Sequence, residues 1–291
     1  MKSIPILNIE LFEEAKTDND FYCNTLSQHL LKNKELVSKA HKHDFYLCVY
    51  ISKGSGVHEI DFNKYDIKDG SIFILRPGQI HHWEFYTEPK GYIFIHTHSF
   101  YDLFFTHSNL DQFPFYYSDK NTPCLYLNDS SAKSFDVHFK QLYNEYLARL
   151  PFKGQRLHSL VNLLYIDIAR KYAINEKIEF HPSVHYVRLL KKLEKLIEAD
   201  YKKEKSVEYY ANKLNISSKH LNRVVKITLD KTTSDLINER IILEAKRLLI
   251  HSTYNLNELA ELLGYKDYAY FSRVFKQRTK YTPSDFKKNY E

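Results

Sequence analysis

Hydrophobic and polar positions follow two different periods along the chain. Between about residue 40 and residue 127, short β-branched and aromatic runs alternate with turn-forming residues, which predicts the closely spaced strands of a sandwich or small barrel. Beyond them, apolar residues recur every three or four positions, the period of a helix with one buried face. The predicted strands are Phe45–Ser52, Gly56–Phe62, Ser71–Leu75 and Tyr92–Thr97.

Two apolar stripes then predict a pair of antiparallel helices that pack on the barrel. A turn is expected between them, at Pro151 to Gly154. Their surplus apolar surface fits intramolecular packing and a subunit interface about equally well, so a homodimer is one expectation. The first stripe consists of Phe135, Phe139, Leu142, Tyr146 and Leu150, and the second of Leu157, Leu160, Leu164 and Ile168.

The helical pattern lapses around Asn175–Ser183, and we place a domain boundary there. Residues 1–176 are predicted to form one α+β domain, in which the two helices follow the strand-rich region. Residues 184–291 are predicted to form a second, all-helical domain, with amphipathic helices at Val184–Tyr201 and Thr233–Ile250.

The second domain contains one short pattern twice. Val207–Lys226 and Leu256–Lys276 each place apolar residues at positions i, i+4 and i+7, then a short turn, and then a second apolar stripe. This predicts two helix-turn-helix units, at about residues 206–228 and 255–279, joined by one long helix.

Capping and turn residues support this interpretation of the repeat. Ser217 and Asp267 are the predicted N-caps of the two second helices. Asn215 and Gly264 stand at the two turns, where we expect a left-handed backbone.

Charge is divided unevenly between the two predicted domains. Residues 1–180 carry 20 Lys and Arg against 22 Asp and Glu, a net charge of −2, and residues 181–291 carry 22 against 14, a net charge of +8. The two values add up to the overall formal charge of +6. A basic module favours a polyanionic ligand, although a merely solvated basic surface would have the same charge.

The cysteines and the N-terminus bear on the compartment. Cys23, Cys48 and Cys124 are odd in number and form no C-x-x-C pair, which disfavours a disulfide framework or a zinc ribbon. The N-terminus turns acidic before a signal-like apolar stretch develops, and no run reaches the roughly 18 apolar residues of a membrane span. We therefore expect a soluble cytoplasmic protein without a membrane partner.

The outward residues of each second helix have side chains suited to reading double-stranded DNA. Arg and Lys suit guanine and Asn suits adenine in the major groove, whereas the second copy is poorer in such groups and relies on Arg273. The alternative is a generic helix hairpin, which the duplication disfavours. The predicted DNA-binding residues are Lys219, Asn222, Arg223 and Lys226 in the first copy, and Tyr268, Ala269, Ser272, Arg273 and Lys276 in the second.

The segment Tyr254–Lys288 resembles the signature of AraC-type transcription regulators, through Leu259-Ala-Glu-Leu-Leu-Gly-Tyr265, Tyr270-Phe-Ser-Arg-Val-Phe-Lys276 and Tyr281-Thr-Pro-Ser-Asp-Phe286. The resemblance extends from about Val184 and implies recognition helices in successive major-groove turns. It implies base contacts by Lys219, Asn222 and Arg223 in the first helix, and by Tyr268, Ala269, Ser272 and Arg273 in the second. Two positions depart from the family pattern: Val225 stands where Phe is usual, and Lys280 where Gly is usual, which suggests a different bend before Thr282.

The strand-rich domain resembles the cupin-like β-barrel that forms the sensor half of many AraC-type proteins, through His41-Lys-His43-Asp44 and Arg76-Pro-Gly-Gln-Ile-His81-His82-Trp83. In metal-dependent cupins such histidines bind zinc, iron or manganese. The usual Glu is missing here, because Tyr46, Leu47, Cys48 and Val49 occupy its strand. We therefore expect no metal or other cofactor and no catalytic residues, although a cupin metalloenzyme with a nucleic-acid-binding tail is the alternative.

Aromatic residues suggest a pocket for a small organic effector instead. The strand Tyr92–His98 alternates ring-bearing residues on one face, and such faces with a few polar groups suit a ligand such as a sugar. Core packing is the competing role for most of these rings. The predicted effector-binding residues are His41, His43, His81, Trp83, Phe94 and His96.

The sequence therefore predicts a homodimeric transcription regulator and not an enzyme. Its partners would be promoter DNA, an effector of unknown identity and, as the resemblance allows, RNA polymerase. An architectural DNA-binding protein without an effector is a third hypothesis. Activation versus repression, the operator and the dimer geometry stay open.

Overall fold

The computed structural model describes residues 5–12, 20–102, 110, 113–117, 122–175, 184–229 and 231–290. The chain divides into two compact units, Ile4–Phe180 and His181–Glu291. All but Asn175 of the predicted boundary lies outside the described residues, so its position stays a prediction.

The described residues of the first unit form ten strands in three sheets. A five-stranded antiparallel sheet has the order β10-β7-β4-β9-β2, a three-stranded sheet has the order β6-β5-β8, and β1 pairs with β3 in parallel. The strands are β1 (Ile6–Leu7), β2 (Phe21–Thr25), β3 (Lys42–His43), β4 (Tyr46–Lys53), β5 (Gly56–Ile60), β6 (Asn63–Ile67), β7 (Ser71–Leu75), β8 (His81–Phe85), β9 (Lys90–His96) and β10 (Cys124–Tyr126).

The five-stranded sheet is buried on both faces, which explains its nearly continuous apolar strands. Alternate residues of β4, such as Leu47 and Val49, join the three-stranded sheet in an inter-sheet core. Their neighbours Cys48 and Tyr50 point the other way, into a helix-side core. The inter-sheet core is the interior of the cupin-like barrel.

Helices cover the outer face of that sheet. The two predicted stripes lie on α5 and α6, which supply the helix-side core. The break between these helices is 148–152, so it overlaps the predicted turn only at Pro151 and Phe152, and Lys153 and Gly154 already belong to α6. Leu150 is 63% exposed and lies beyond α5, so its predicted place in the stripe was wrong. The helices are α1 (Leu26–Lys32), α2 (Lys34–Val37), α3 (His98–Asp102), α4 (Pro114–Tyr117), α5 (Asp129–Leu147) and α6 (Lys153–Asn175), with a 3₁₀ turn at Ile9–Leu11.

The described residues of the second unit form seven helices, which include both predicted helix-turn-helix units. The first helix-turn-helix unit consists of α8 and α9, the second consists of α11 and α12, and α10 connects them. Their bounds are α7 (Val184–Asp200), α8 (Val207–Lys213), α9 (Ser218–Leu229), α10 (Thr233–His251), α11 (Leu256–Leu262), α12 (Tyr268–Thr279) and α13 (Pro283–Tyr290). Within the described ranges, no helix has the length and apolar content needed to cross a membrane.

The expected caps and turns are present in both copies. The Ser217 hydroxyl accepts a hydrogen bond from the His220 backbone at 3.2 Å, and the Asp267 carboxylate accepts one from the Tyr270 backbone at 2.7 Å. Asn215 and Gly264 have φ values of 55° and 73°, so both turns are left-handed. Lys280 also has a φ of 71° and caps α12, so a lysine adopts a left-handed backbone where the resemblance leads us to expect glycine.

Candidate nucleic-acid interface and effector pocket

The outward face of α9 is a row of cations above a row of buried apolar residues. Leu221, Val224 and Val225 are fully buried, which fixes the orientation of the helix. That orientation leaves three predicted DNA-binding residues exposed: Lys219, Arg223 and Lys226. Cations in such a row suit phosphates and guanine edges.

Asn222 is held by a neighbouring helix. Its side-chain oxygen accepts a hydrogen bond from the Thr233 backbone N–H, in the first turn of α10, at 3.0 Å. A bidentate contact with adenine uses both the oxygen and the NH₂ group of an asparagine. The oxygen already accepts one hydrogen bond, so a bidentate contact would use its second lone pair, and the adenine contact by Asn222 stays a prediction.

Arg223 is oriented by two residues that the sequence analysis missed. Its guanidinium donates to His220 Nδ1 at 2.9 Å and lies 5.9 Å from the ring centre of Tyr186 on α7. The Tyr186 and His220 rings meet edge to face at 5.8 Å. His220 could have been found from its position one turn before Arg223, whereas the contribution of α7 depends on the tertiary fold.

A cavity of about 520 Å³ lies beside this row of cations. It collects Arg223, Lys226 and Lys231 near the N-terminus of α10, where backbone N–H groups favour anions. Lys231 also forms an ion pair with Glu239 at 3.0 Å. The cavity is lined by Val207, Asn222, Arg223, Lys226, Lys231, Thr232 and Ser234.

The outward face of α12 differs in chemistry. Ala269, Arg273 and Lys276 are exposed, while Tyr268 and Ser272 are half-buried. The Arg273 guanidinium lies 5.9 Å from the ring centre of Tyr270, an exposed residue that the sequence analysis did not assign to the interface. Among the predicted DNA-binding residues, α12 therefore presents two cations against three on α9, together with more aromatic surface. Its third cation, Arg278, forms an ion pair with Asp235 at 2.6 Å.

In the strand-rich unit of the chain, the structure brings His41, His43, His81 and Trp83 together in the barrel. The ring centres of His41 and His43 lie 4.4 Å and 5.2 Å from that of His81, and Trp83 lies 4.9 Å from it. A fourth histidine, His58, belongs to the same group. Its Nε2 forms a hydrogen bond with His81 Nδ1 at 3.0 Å. We call these five residues the histidine–tryptophan cluster.

The alternation of β5 could have revealed His58. Gly56, His58 and Ile60 are all buried, and the residues between them are half-buried. In the pairing of β5 with β8, His58 is opposite Trp83 and Ile60 is opposite His81. A period-two analysis of this strand therefore places His58 beside the two residues that the cupin-like motif had identified.

The cluster contains buried polar atoms without a hydrogen-bond partner among the described residues: His43 Nε2, His58 Nδ1, His81 Nε2 and Trp83 Nε1. Buried polar groups usually have partners, so these atoms are available for hydrogen bonds with a bound molecule or with ordered water. Burial lowers the pKa of His43 to about 3 and that of His81 well below its usual range. The rings are therefore neutral near pH 7.

Backbone contacts fix the tautomers of two of these rings. His43 Nδ1 lies 2.7 Å from the Phe45 carbonyl, and His41 Nδ1 lies 2.8 Å from the Lys39 carbonyl. A carbonyl oxygen only accepts, so both Nδ1 atoms carry the proton and both Nε2 atoms are acceptors. Trp83 Nε1 is a donor, and the His58–His81 pair offers one further donor and one further acceptor in either of its tautomers.

Phe94 and His96 are not part of this cluster, contrary to the prediction. Both belong to the residues of β9 that point into the helix-side core, whereas Ile93 and Ile95 point into the barrel. His96 donates from Nδ1 to the Thr97 carbonyl at 2.7 Å and accepts at Nε2 from the Tyr165 hydroxyl, also at 2.7 Å. Burial lowers its pKa to about 4. Both faces of β9 are apolar, so the strand sequence does not indicate which face is the barrel interior, and an effector-binding role for these two residues stays a prediction.

The strand that would carry a cupin carboxylate has none. Leu47 and Val49 point into the barrel, and Cys48 points toward the helices. Among the residues that the structure describes, no group of three or more His, Cys, Asp or Glu side chains is arranged to hold a metal ion.

A strand-rich domain with a polar cluster in its barrel, followed by two helix-turn-helix units, defines a ligand-responsive DNA-binding regulator. Residues 33–107 match the family model described as the AraC-like ligand binding domain, and residues 210–289 match a helix-turn-helix domain model. The chain belongs to the AraC-type transcriptional regulators.

Curated relatives extend over most of the chain. The transcriptional activator RhaS of Escherichia coli O81 (strain ED1a) is 23% identical over 259 residues, covering 85% of this chain and 86% of RhaS. RhaR of Escherichia coli O9:H4 (strain HS) is 22% identical over 250 residues with the same coverage. Among solved structures, ToxT from Vibrio cholerae is 15% identical, covers 92% of this chain and 98% of its own, and has a TM-score of 0.43.

Proposed function

We propose that this regulator reads DNA through two unequal faces. The face on α9 consists of Lys219, Arg223 and Lys226. The face on α12 consists of Arg273 and Lys276 together with the rings of Tyr268 and Tyr270. The observation that carries the proposal is the exposed row of cations on α9, held outward by a fully buried apolar row. Ala269 and Ser272 supply small contacts, and Asn222 orients α10.

Fluorescence anisotropy with full-length protein tests this proposal. Binding to a selected duplex should exceed binding to a shuffled duplex by at least about a thousandfold, the usual lower bound for specific recognition. The log of the binding constant should fall linearly with the log of salt concentration, because cations displace counterions from DNA. Equal affinity for both duplexes would contradict the proposal.

We further propose that the histidine–tryptophan cluster binds the effector, and that the effector is neutral and rich in hydroxyl groups, as a sugar is. The cluster offers at least two donors and two acceptors, and a hydroxyl group can satisfy both kinds. A carboxylate only accepts and would place its charge against the His43 Nε2 lone pair. Trp83 adds an aromatic face of the kind that packs against sugar rings.

Trp83 is the only tryptophan in the chain, so its fluorescence reports on the cluster directly. Titration with neutral sugars and polyols should change the emission, whereas fatty acids should not. His43→Leu should weaken the binding of the ligand at least about fivefold, since a lost hydrogen bond to a buried partner costs about 1–3 kcal/mol. His138→Gln, an exposed change on α5 in the same unit, is the matched control.

Elemental analysis separates this proposal from the metalloenzyme alternative. Stoichiometric zinc, iron or manganese that disappears in the His41→Ala, His43→Ala double variant would favour the enzyme. In our proposal the chain has no catalytic role, and the missing carboxylate on β4 supports that view. Cytoplasmic action accords with the three cysteines, which are all buried and unpaired.

Homodimerisation and activation complete the proposal. Outward apolar residues support a dimer through the helices, namely Val137 on α5 and Leu163 and Ile174 on α6, which are 63%, 56% and 71% exposed. Sedimentation velocity should show a dimer that Leu163→Glu dissociates and Leu31→Glu, at an exposed site on α1, leaves intact. Activation rests on the likeness to RhaS, and contact with RNA polymerase stays a prediction.

A further inference from the structure

The turn of the second helix-turn-helix unit touches the loop that precedes the first unit. Lys205, in that loop, donates a hydrogen bond from Nζ to the carbonyl of Gly264 at 2.9 Å, and a longer one to the carbonyl of Lys202 at 3.4 Å. The two ends of the first bond are 59 residues apart in sequence. This contact joins the two helix-turn-helix units, which are also connected through α10.

Lys205 also reaches the base of the second recognition helix. Its ammonium group lies 4.7 Å from the ring centre of Tyr265, which is 6% exposed. The Tyr265 ring in turn packs on Phe271 and Tyr270 in the first turn of α12, at 5.3 Å and 5.8 Å. A shift of Lys205 would therefore change the packing at the start of α12.

The backbone contact at this point is close. A Cβ atom added to Gly264 would overlap the carbonyl oxygen of Lys202 and come within 2.8 Å of Lys205 Nζ. Only a residue without a side chain allows the turn to approach the loop in this way. The ammonium group then occupies the space beside the turn and bridges both carbonyls.

The other side of the same loop is anchored to α10. Arg240 on α10 binds Glu198 at the end of α7 through two hydrogen bonds, of 2.6 Å and 2.9 Å. Its guanidinium also lies 4.2 Å from the ring centre of Tyr201, where the loop begins. The loop is thus fixed at its start by Arg240, and Lys205 transmits that position to the second unit.

We propose that Lys205 is a positioning residue that fixes the second helix-turn-helix unit relative to the first, and so sets the spacing between the two half-sites that this regulator accepts. The proposal rests on the proposed DNA-reading function, in which α9 and α12 enter successive turns of the major groove. One inserted base pair moves the second half-site by about 3.4 Å and rotates it by about 35°. A rigidly held second helix cannot follow such a displacement, whereas a loosely held one can.

The first test needs no DNA and uses the full chain. Nitroxide labels at Ile227→Cys on α9 and Gln277→Cys on α12, both exposed positions, report the distance between the two recognition helices by double electron–electron resonance. The three native cysteines are buried, and burial raises their pKa values, which keeps them protonated and poorly reactive. Lys205→Met should broaden the distance distribution, and Lys205→Arg should restore a narrow one.

Lys203→Met, an exposed change in the same loop, is the matched control and should leave the distribution narrow. Circular dichroism checks that each variant is folded. Lys205→Gln, with a shorter side chain that keeps a polar end, is a second variant and should also broaden the distribution. An unchanged distribution in both folded variants would overturn the proposal.

The second test measures binding to duplexes whose half-sites are separated by the selected spacing or by one more base pair. The insertion should weaken wild-type binding about tenfold and Lys205→Met binding less than about threefold, with equal affinity of both proteins for a duplex that carries the first half-site alone. A spacing penalty that Lys205→Met leaves unchanged, or a loss of affinity for the first half-site, would contradict the proposal. Wild-type protein without any sequence preference would instead refute the DNA-reading function, and the label distances would still test the positioning role.

Discussion

The two helix-turn-helix units have the same helices and the same left-handed turn, yet different residues occupy that turn. The first unit uses Asn215 and the second uses Gly264. At Gly264, the backbone carbonyl of Lys202 occupies the space that a Cβ atom would need. The comparison teaches that a duplicated element keeps its backbone, while its side chains adapt to neighbours that were not duplicated.

The recognition helices differ in the same way. On α9, Lys219, Arg223 and Lys226 form a cationic face, and Arg223 is oriented from α7 through Tyr186. On α12, Arg273 is oriented by Tyr270 within its own helix. The contacts described for Arg223 therefore include a helix outside the repeat, whereas the contact described for Arg273 lies within its own helix.

The largest expected difference between the copies concerns the turns. Gly264→Ala should lower the free energy of unfolding by about 3 kcal/mol, because it combines a strained φ with overlap of the Lys202 carbonyl. Asn215→Ala should cost only about 1 kcal/mol, since it adds backbone strain alone. Urea denaturation followed by circular dichroism measures both values. Equal losses would mean that the two turns are equivalent.

The next difference concerns base readout. Arg223→Ala and Arg273→Ala should each cost about 1–3 kcal/mol and relax specificity at different positions of the site, one in each half. Binding to a panel of single-base variants of the selected duplex identifies those positions. Lys226→Ala is the control, and it should weaken all duplexes alike while reducing the salt slope by about 0.9. If both arginine variants relaxed the same half, the assignment of one helix to each half would fail.

Asn222 distinguishes a structural residue from a reading residue within the first copy. Asn222→Ala should lower stability by about 1 kcal/mol through loss of the acceptor for Thr233 N–H, with base preference unchanged. Asn222→Asp keeps an acceptor oxygen and should retain the stability. A changed preference at one adenine, with stability intact, would restore the base-reading role that the sequence predicted.

The smallest effect is at the end of the second recognition helix. Lys280 adopts a left-handed conformation that strains the backbone of a lysine but not that of a glycine. Lys280→Gly should therefore raise the free energy of unfolding by about 0.5–1 kcal/mol. The same change at Lys287, within α13, should lower it by about 1 kcal/mol. Thermal unfolding of the two variants compares them directly, and a loss of stability in Lys280→Gly would show that the lysine side chain matters more than its backbone.

Local signals predicted the repeat, its caps and its turns because those features depend on residues a few positions apart. The caps Ser217 and Asp267 act within their own turn, and so does the left-handed backbone of Gly264, so these roles follow from the sequence. Four strands of the first domain, β4, β5, β7 and β9, were found for the same reason. Strands β6, β8 and β10 lie in the region predicted to be strand-rich but were not identified individually, and β2, before residue 40, was missed because its apolar run continues into a helix.

Residues whose roles depend on distant partners could not be assigned in this way. Phe94 and His96 were placed in the pocket, but a sheet buried on both faces gives no sequence indication of which face is the barrel interior. Asn222 has a suitable side chain for DNA, yet Thr233 lies within reach only after α10 has packed. The contact between Lys205 and Gly264 likewise forms only when both helix-turn-helix units are folded.

The central claim is that two unequal readers recognise two unlike half-sites. Selection of binding sequences from a pool of random duplexes, with the full-length protein, tests this most directly. The account predicts one enriched site with two different halves, about 10–11 base pairs apart from centre to centre. Enrichment of two identical halves for the paired readers, or no enrichment at all, would contradict it.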